Sequence, residues 1–195
     1  MKGRTSKRIL SALLSLVMLL SLLPVAAFAT ETAAPKTATW TKVTAAPEDW
    51  SGTYLIVSEG DKVAFDGSLA KLDAVNDYQS VTVTEGTISA SKDIAFTIEK
   101  MDGGYSIKSA SNQYIYQSSD ANGLKTGTTA TANSISLNDD GTVDIVSGGA
   151  YLRFNSASNQ MRFRYYKSAT YTNQQPITLY KLSGGTTETV AAPTA

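Results

Sequence analysis

From Trp40 to Leu182 the chain is a succession of short runs in which apolar and polar residues tend to alternate. Tyr54-Leu-Ile-Val57, Val81-Thr-Val-Thr84, Phe96-Thr-Ile-Glu99, Tyr105-Ser-Ile-Lys108, Ile135-Ser-Leu137, Val143-Asp-Ile-Val146 and Ile177-Thr-Leu-Tyr180 are the clearest. A period of two is that of a half-buried β-strand, and runs this short are strand-length. Ser58-Glu-Gly-Asp61, Asp102-Gly-Gly104, Asp139-Asp-Gly141 and Ser147-Gly-Gly149 separate them with turn chemistry. The single helical pattern, Leu69-Ala-Lys-Leu-Asp-Ala-Val75, spans about two turns, too short to hold alone, and reads as a loop excursion.

Two alignments of the chain on itself compete. Ser-Ala-Ser-Asn-Gln occurs at Ser109–Gln113 and again at Ser156–Gln160. Matching those pentapeptides explains five residues. Following the order of strands and turns explains more. It sets Phe96–Glu99, Asp102-Gly-Gly, Tyr105–Ser109 and Tyr114-Ile115 against Ile135–Asn138, Asp140-Gly-Thr, Val143–Ser147 and Tyr151-Leu152. A third copy fits in front, with Trp40–Val43, Gly52–Ser58 and Val63–Phe65, its turn carried by Trp50-Ser-Gly52. On this alignment the pentapeptide is recurrent turn chemistry, with Ser and Asn side chains bonding nearby backbone.

Three copies of roughly four short strands, closed by a last strand, predict an all-β domain: a β-trefoil-like closed barrel of three repeats. Another small β-barrel or a β-sandwich fits the same strands. The expected interior is Ile56, Phe96, Ile98, Ile107, Ile115, Ile135, Leu137, Ile145, Leu152, Ile177 and Leu179. Tyr105-Ser-Ile-Lys-Ser-Ala-Ser-Asn-Gln-Tyr-Ile-Tyr116 resembles segments of ricin-type and fascin-like trefoils, in which a strand, a short turn and a Tyr-Ile or Tyr-Leu strand recur. No Gln is followed two residues later by Trp, so the Q-x-W signature is missing and that family's sugar-binding residues are not carried over. Phe96–Leu182 also resembles non-catalytic modules that accompany secreted bacterial hydrolases such as phosphoesterases and nucleases.

The ends change the picture of where the domain lies. Lys2, Arg4, Lys7 and Arg8 precede an apolar run from Ile9 to Leu23, then Pro24 and Ala27-Phe28-Ala29, the plan of a cleaved signal peptide over residues 1–29. An uncleaved anchor is the competing reading. Residues 30–39 and 183–195, rich in Ala, Thr, Gly and Pro, read as linker and flexible tail around a single domain at 40–182. Cleavage removes four of 17 basic groups and none of the 17 acidic ones, a net charge of about −4. That predicts a secreted protein with no general attraction for nucleic acid or membrane.

Neither cysteine nor histidine is present. Disulfides, Cys-His and Ser-His-Asp triads and His-ligated zinc are therefore excluded. Asn138-Asp-Asp-Gly-Thr-Val-Asp144 brings oxygen side chains together but lacks the spacing and terminal Glu of an EF-hand, so it reads as a turn. No cofactor or metal is expected.

Candidate binding residues cluster late in the chain. Arg153, Arg162, Arg164 and Lys167 are interleaved with Phe154, Phe163, Tyr165 and Tyr166, and alternation puts Arg162 and Arg164 on one strand face. Such a face fits an anionic glycan, a phosphate or single-stranded nucleic acid, or else a solvated surface with each Arg paired to an Asp. Tyr114, Tyr116, Tyr165, Tyr166 and Tyr171 offer rings for sugar stacking, or are core tyrosines. The expected function is a secreted, non-catalytic binding module for a polysaccharide or surface glycan, free or appended to an extracellular hydrolase. A protein-interaction or inhibitor module, docking through a protruding Leu69–Ser91 loop, is the alternative. A carboxylate-dependent hydrolase comes third.

Overall fold

The computed structural model describes residues 37–167 and 172–186. The expected signal peptide, most of the first linker, the tail beyond Thr186 and Tyr171 lie outside the described residues. Sixteen strands follow one another: β1 Thr37–Lys42, β2 Gly52–Ser58, β3 Val63–Phe65, β4 Tyr78–Ser80, β5 Val83–Thr84, β6 Thr87–Ser91, β7 Phe96–Met101 and β8 Gly104–Ser109. β9 Tyr114–Tyr116, β10 Lys125–Gly127, β11 Ser134–Leu137, β12 Val143–Ser147, β13 Ala150–Asn155, β14 Arg162–Tyr166, β15 Gln174–Gln175 and β16 Thr178–Thr186 complete them. One 3-10 turn at Lys92–Ile94, capped by the Ser91 side chain, is the only helical element among the described residues.

All strand pairings are antiparallel. The larger sheet runs β10-β9-β8-β7-β2-β16-β1-β6-β5, with β3 and β4 branching from β2; the smaller runs β11-β12-β13-β14, with β15 against β13. Two apolar clusters result. The main one gathers Tyr54, Ile56, Phe96, Ile98, Ile107, Ile145, Leu152, Phe154, Phe163, Tyr165 and Leu179 with their neighbours. The second lies on the other face of β2 and β16, where Trp40, Leu55, Val57, Ile88 and Tyr180 meet. The unbroken apolar run Tyr54–Val57 is thereby accounted for, since β2 is covered on both faces. Phe65, Phe96, Phe154 and Phe163 hold the main cluster together through ring contacts of 4.8–5.1 Å.

The all-β expectation holds, and every expected interior residue is buried except Ile135 and Leu137, which are partly buried against the main cluster. Ser109–Gln113 turns between β8 and β9, Ser156–Gln160 between β13 and β14; the pentapeptide thus serves two different connections. In the first, Ser109 Oγ accepts from the Gln113 N–H; in the second, Ser156 Oγ donates to the Asn173 carbonyl.

One pairing recurs along the chain. The start of a second strand meets the strand, or the residue just before the strand, that leads the next copy: Tyr54 opposite Phe96, Tyr105 opposite Asn133 and Val143 opposite Ile177. The hydrogen-bonded paths nevertheless end openly at β10 and β5 and at β11 and β14, so no closed barrel is formed among the described residues.

Three boundaries differ from expectation. β1 starts at Thr37, inside the stretch read as linker, because Thr37 and Ala38 pair with Ser91 and Ala90 and Ala38 is buried. β16 continues to Thr186, since the β1 register carries on to Ala38–Thr186. The Leu69–Ser91 excursion does not protrude: Leu72 and Ile88 are core residues, Asp77 is fully buried, and β4, β5 and β6 are built from its second half.

Candidate functional site

The register of β13 and β14 sets Tyr151 opposite Tyr166, Arg153 opposite Arg164 and Asn155 opposite Arg162. Directly opposed residues share a face, and Leu152, Phe154, Phe163 and Tyr165 fill the core. The expected alternation is therefore real, with the arginines on the outer face. Two like charges opposite one another destabilise a sheet, and each here has its own carboxylate. Arg153 is buried, donating to Asp144 Oδ1 at 2.6 Å and to the Leu152 carbonyl at 3.0 Å, with its guanidinium 5.1 Å from the Tyr151 ring centroid. Arg164 Nη2 donates to Asp73 Oδ2 at 3.1 Å; its Nε lies 3.0 Å from Oδ1, too bent for a hydrogen bond. Arg162 donates to the Gln160 side chain and sits 4.0 Å from Asp73. Of the expected basic residues only Lys167 is exposed without an ion pair among the described residues.

Asp73 and Asp77 come from the excursion, which clasps the outer edge of β14. Asn76 N–H donates to the Met161 carbonyl, Asp77 Oδ1 accepts from the Phe163 N–H at 2.8 Å, and Gly123 N–H donates to the Tyr165 carbonyl. Two outward groups of this edge strand, the Phe163 N–H and the Tyr165 carbonyl, are thus satisfied. Burial pushes the Asp77 carboxyl up to about 8; the Phe163 N–H and Arg162 pull it down, and Asp73 raises it. These two acids are neighbours, but Asp77 is sealed from solvent, so its shift belongs to the clasp and not to an open reaction centre.

The tyrosines divide. Tyr165 is fully buried, donates to Asn133 Oδ1 at 2.7 Å, and burial raises its pKa. Tyr166 is 6 % exposed, so it cannot present an open ring face. Tyr114 and Tyr116 are partly exposed on β9, on the opposite side from buried Ile115, with Lys108 Nζ 5.4 Å from the Tyr114 ring. No hydrogen bond, ion pair or ring contact among the described residues joins them to β14. In the Asn138–Asp144 turn, Asp140 Oδ1 accepts from both the N–H and the hydroxyl of Thr142, and Asp144 is taken by Arg153.

A pocket of about 450 Å³ opens beside Tyr166, lined by Asn122, Asn155, Thr172, Asn173 and Gln174 as well. Its polar groups are pre-set by the backbone. Asn122 Oδ1 accepts from the Lys167 N–H at 3.0 Å, and Asn155 Oδ1 from the Ala157 N–H at 2.9 Å. Burial raises the pKa of the Tyr166 phenol, and the neighbouring Asn155 side chain, Arg162 and Arg164 act against that rise. The Gln174 amide nitrogen and oxygen are both buried without a partner among the described residues. Of the residues expected from sequence, only Tyr166 lines this pocket. The four carboxamides were missed because they come from three separate segments. Their sole trace in the sequence is Thr172-Asn-Gln-Gln175, which reads as an ordinary polar turn.

Neither a scan against protein-family models nor a search of curated proteins finds a match to this chain.

Proposed function

We propose that the chain is a secreted, non-catalytic module that binds a polysaccharide or cell-surface glycan, of the kind appended to extracellular hydrolases. The observation that carries this reading is the pocket at Tyr166, where two of the four carboxamides, Asn122 and Asn155, are held in place by backbone N–H groups. A carboxamide offers a donor pair and an acceptor in one plane, which suits sugar hydroxyls. A hydrolase needs two carboxyl groups flanking a bond, and Asp77, the partner nearest Asp73, is closed off. A protein-docking loop is less well supported, because the excursion is packed down onto β14.

The finer fold is part of the same proposal. The recurrent pairings Tyr54–Phe96, Tyr105–Asn133 and Val143–Ile177 support three β-trefoil-like repeats, with the pocket formed by the copy that starts at Ile135 and by Asn122 of the copy before it. Affinity electrophoresis of the full chain in gels carrying soluble polysaccharides tests the function. Retardation that Asn155→Ala abolishes is expected; free migration in every gel refutes it.

A further inference from the structure

We infer that the Tyr166 pocket reads an uncharged glycan with adjacent hydroxyls, and that Gln174 is its specificity-determining side chain; this rests on the binding function proposed above. No charged side chain lines the pocket among the described residues. The arginines nearest to it are already engaged, Arg162 by Gln160 and Arg164 by Asp73. The exposed Lys167, which bonds Asn122 through its backbone N–H, is not among the lining residues, so no guanidinium fork faces the pocket for a carboxylate or sulfate. Without one, an anionic ligand would lose its hydration to a wall of neutral dipoles.

Gln174 is the group whose chemistry is unfinished. Its Cα lies opposite Asn155, which anchors it in the pocket lining, while both polar atoms of its amide are buried and unpaired among the described residues. Buried amide groups that lack partners are destabilising, and the deficit is removed when a ligand supplies them. A donor and an acceptor on one planar group match one hydroxyl that accepts and a neighbouring hydroxyl that donates. Asn122 and Asn155 are different in kind: their oxygens are held by the Lys167 and Ala157 N–H groups, so they hold the pocket's shape and present nitrogen donors. A site built to bond hydroxyls rejects ligands that lack them more strongly than an apolar pocket separates sizes.

The test is retardation of the full chain in gels containing either neutral galactan and mannan or the polyanions polygalacturonate and heparin, at about 50 and about 500 mM salt. The inference expects retention by a neutral polymer at both salt levels. Gln174→Leu, similar in volume, should weaken it about tenfold or more. Gln174→Glu should weaken it further, with the melting temperature of each variant confirming the fold. Retention by polyanions alone, lost at high salt, overturns the inference and leaves the binding function standing. Retention by neutral polymer that Gln174→Leu leaves intact also overturns it. No retention by any polymer refutes both.

Discussion

Asp77→Asn removes a buried proton site with little change of shape. The amide oxygen still accepts the Phe163 N–H that Asp77 Oδ1 accepts at 2.8 Å. In the native protein the carboxyl is wholly buried, its Oδ2 has no partner among the described residues, and burial raises its pKa from 3.8 to about 8. A raised carboxyl keeps its proton in the folded state where the unfolded chain has released it. Below about pH 4 both states are protonated and there is no penalty; between about pH 4 and 8 stability falls as pH rises; above about pH 8 the loss is complete. At about 1.4 kcal/mol per unit the full span gives a ceiling of about 6 kcal/mol. Local relaxation and water entry reduce this, and a differential of about 2–3 kcal/mol is expected. Urea unfolding followed by the fluorescence of buried Trp40 and Trp50, at steps from about pH 4.5 to 8.5, measures it. The variant should gain on the native protein steadily with pH and be the more stable at the alkaline end. Parallel stability profiles for the two proteins would refute the reasoning.

Three further outcomes follow from the packing. Trp40→Ala empties the centre of the second cluster, where the indole is fully buried and donates to the Ala90 carbonyl at 3.1 Å, and should cost about 3–5 kcal/mol by urea unfolding. Asp73→Asn weakens the pairing of Arg164 and Arg162; these groups are partly exposed, so about 1–2 kcal/mol is expected, with a double-mutant cycle against Arg164→Met showing coupling. Gly104→Ala would place a Cβ 2.3 Å from the Asn133 carbonyl oxygen at φ +145°, and should lower stability by about 2 kcal/mol or more in thermal melts.

Strand positions were legible because period-two burial is a local property: Tyr105–Lys108 and Val143–Val146 lie inside β8 and β12. Two hairpins were legible through their turns, since Asp-Gly at Asp102-Gly103 and Asp140-Gly141 joins β7 to β8 and β11 to β12. What could not be read was long-range. Thr37–Thr39 resembles linker by composition and becomes a strand because β6 lies on one side of it and β16 on the other. The arginines looked available because their carboxylates lie elsewhere: Asp144 is on the preceding strand, and Asp73 is 91 residues from Arg164. The carboxamide pocket was hidden for the same reason, its walls meeting only when β13, β14 and β15 pair.

The most direct measurement is an amide chemical-shift map of the full, isotopically labelled chain titrated with a soluble glycan that retards it. Shifts should concentrate at Asn122, Asn155, Tyr166 and Gln174 and spare Tyr114, Tyr116 and the Lys42–Glu59 ion pair. Shifts centred on β9, or on the Asp73–Arg164 clasp, would contradict the placement of function at this pocket.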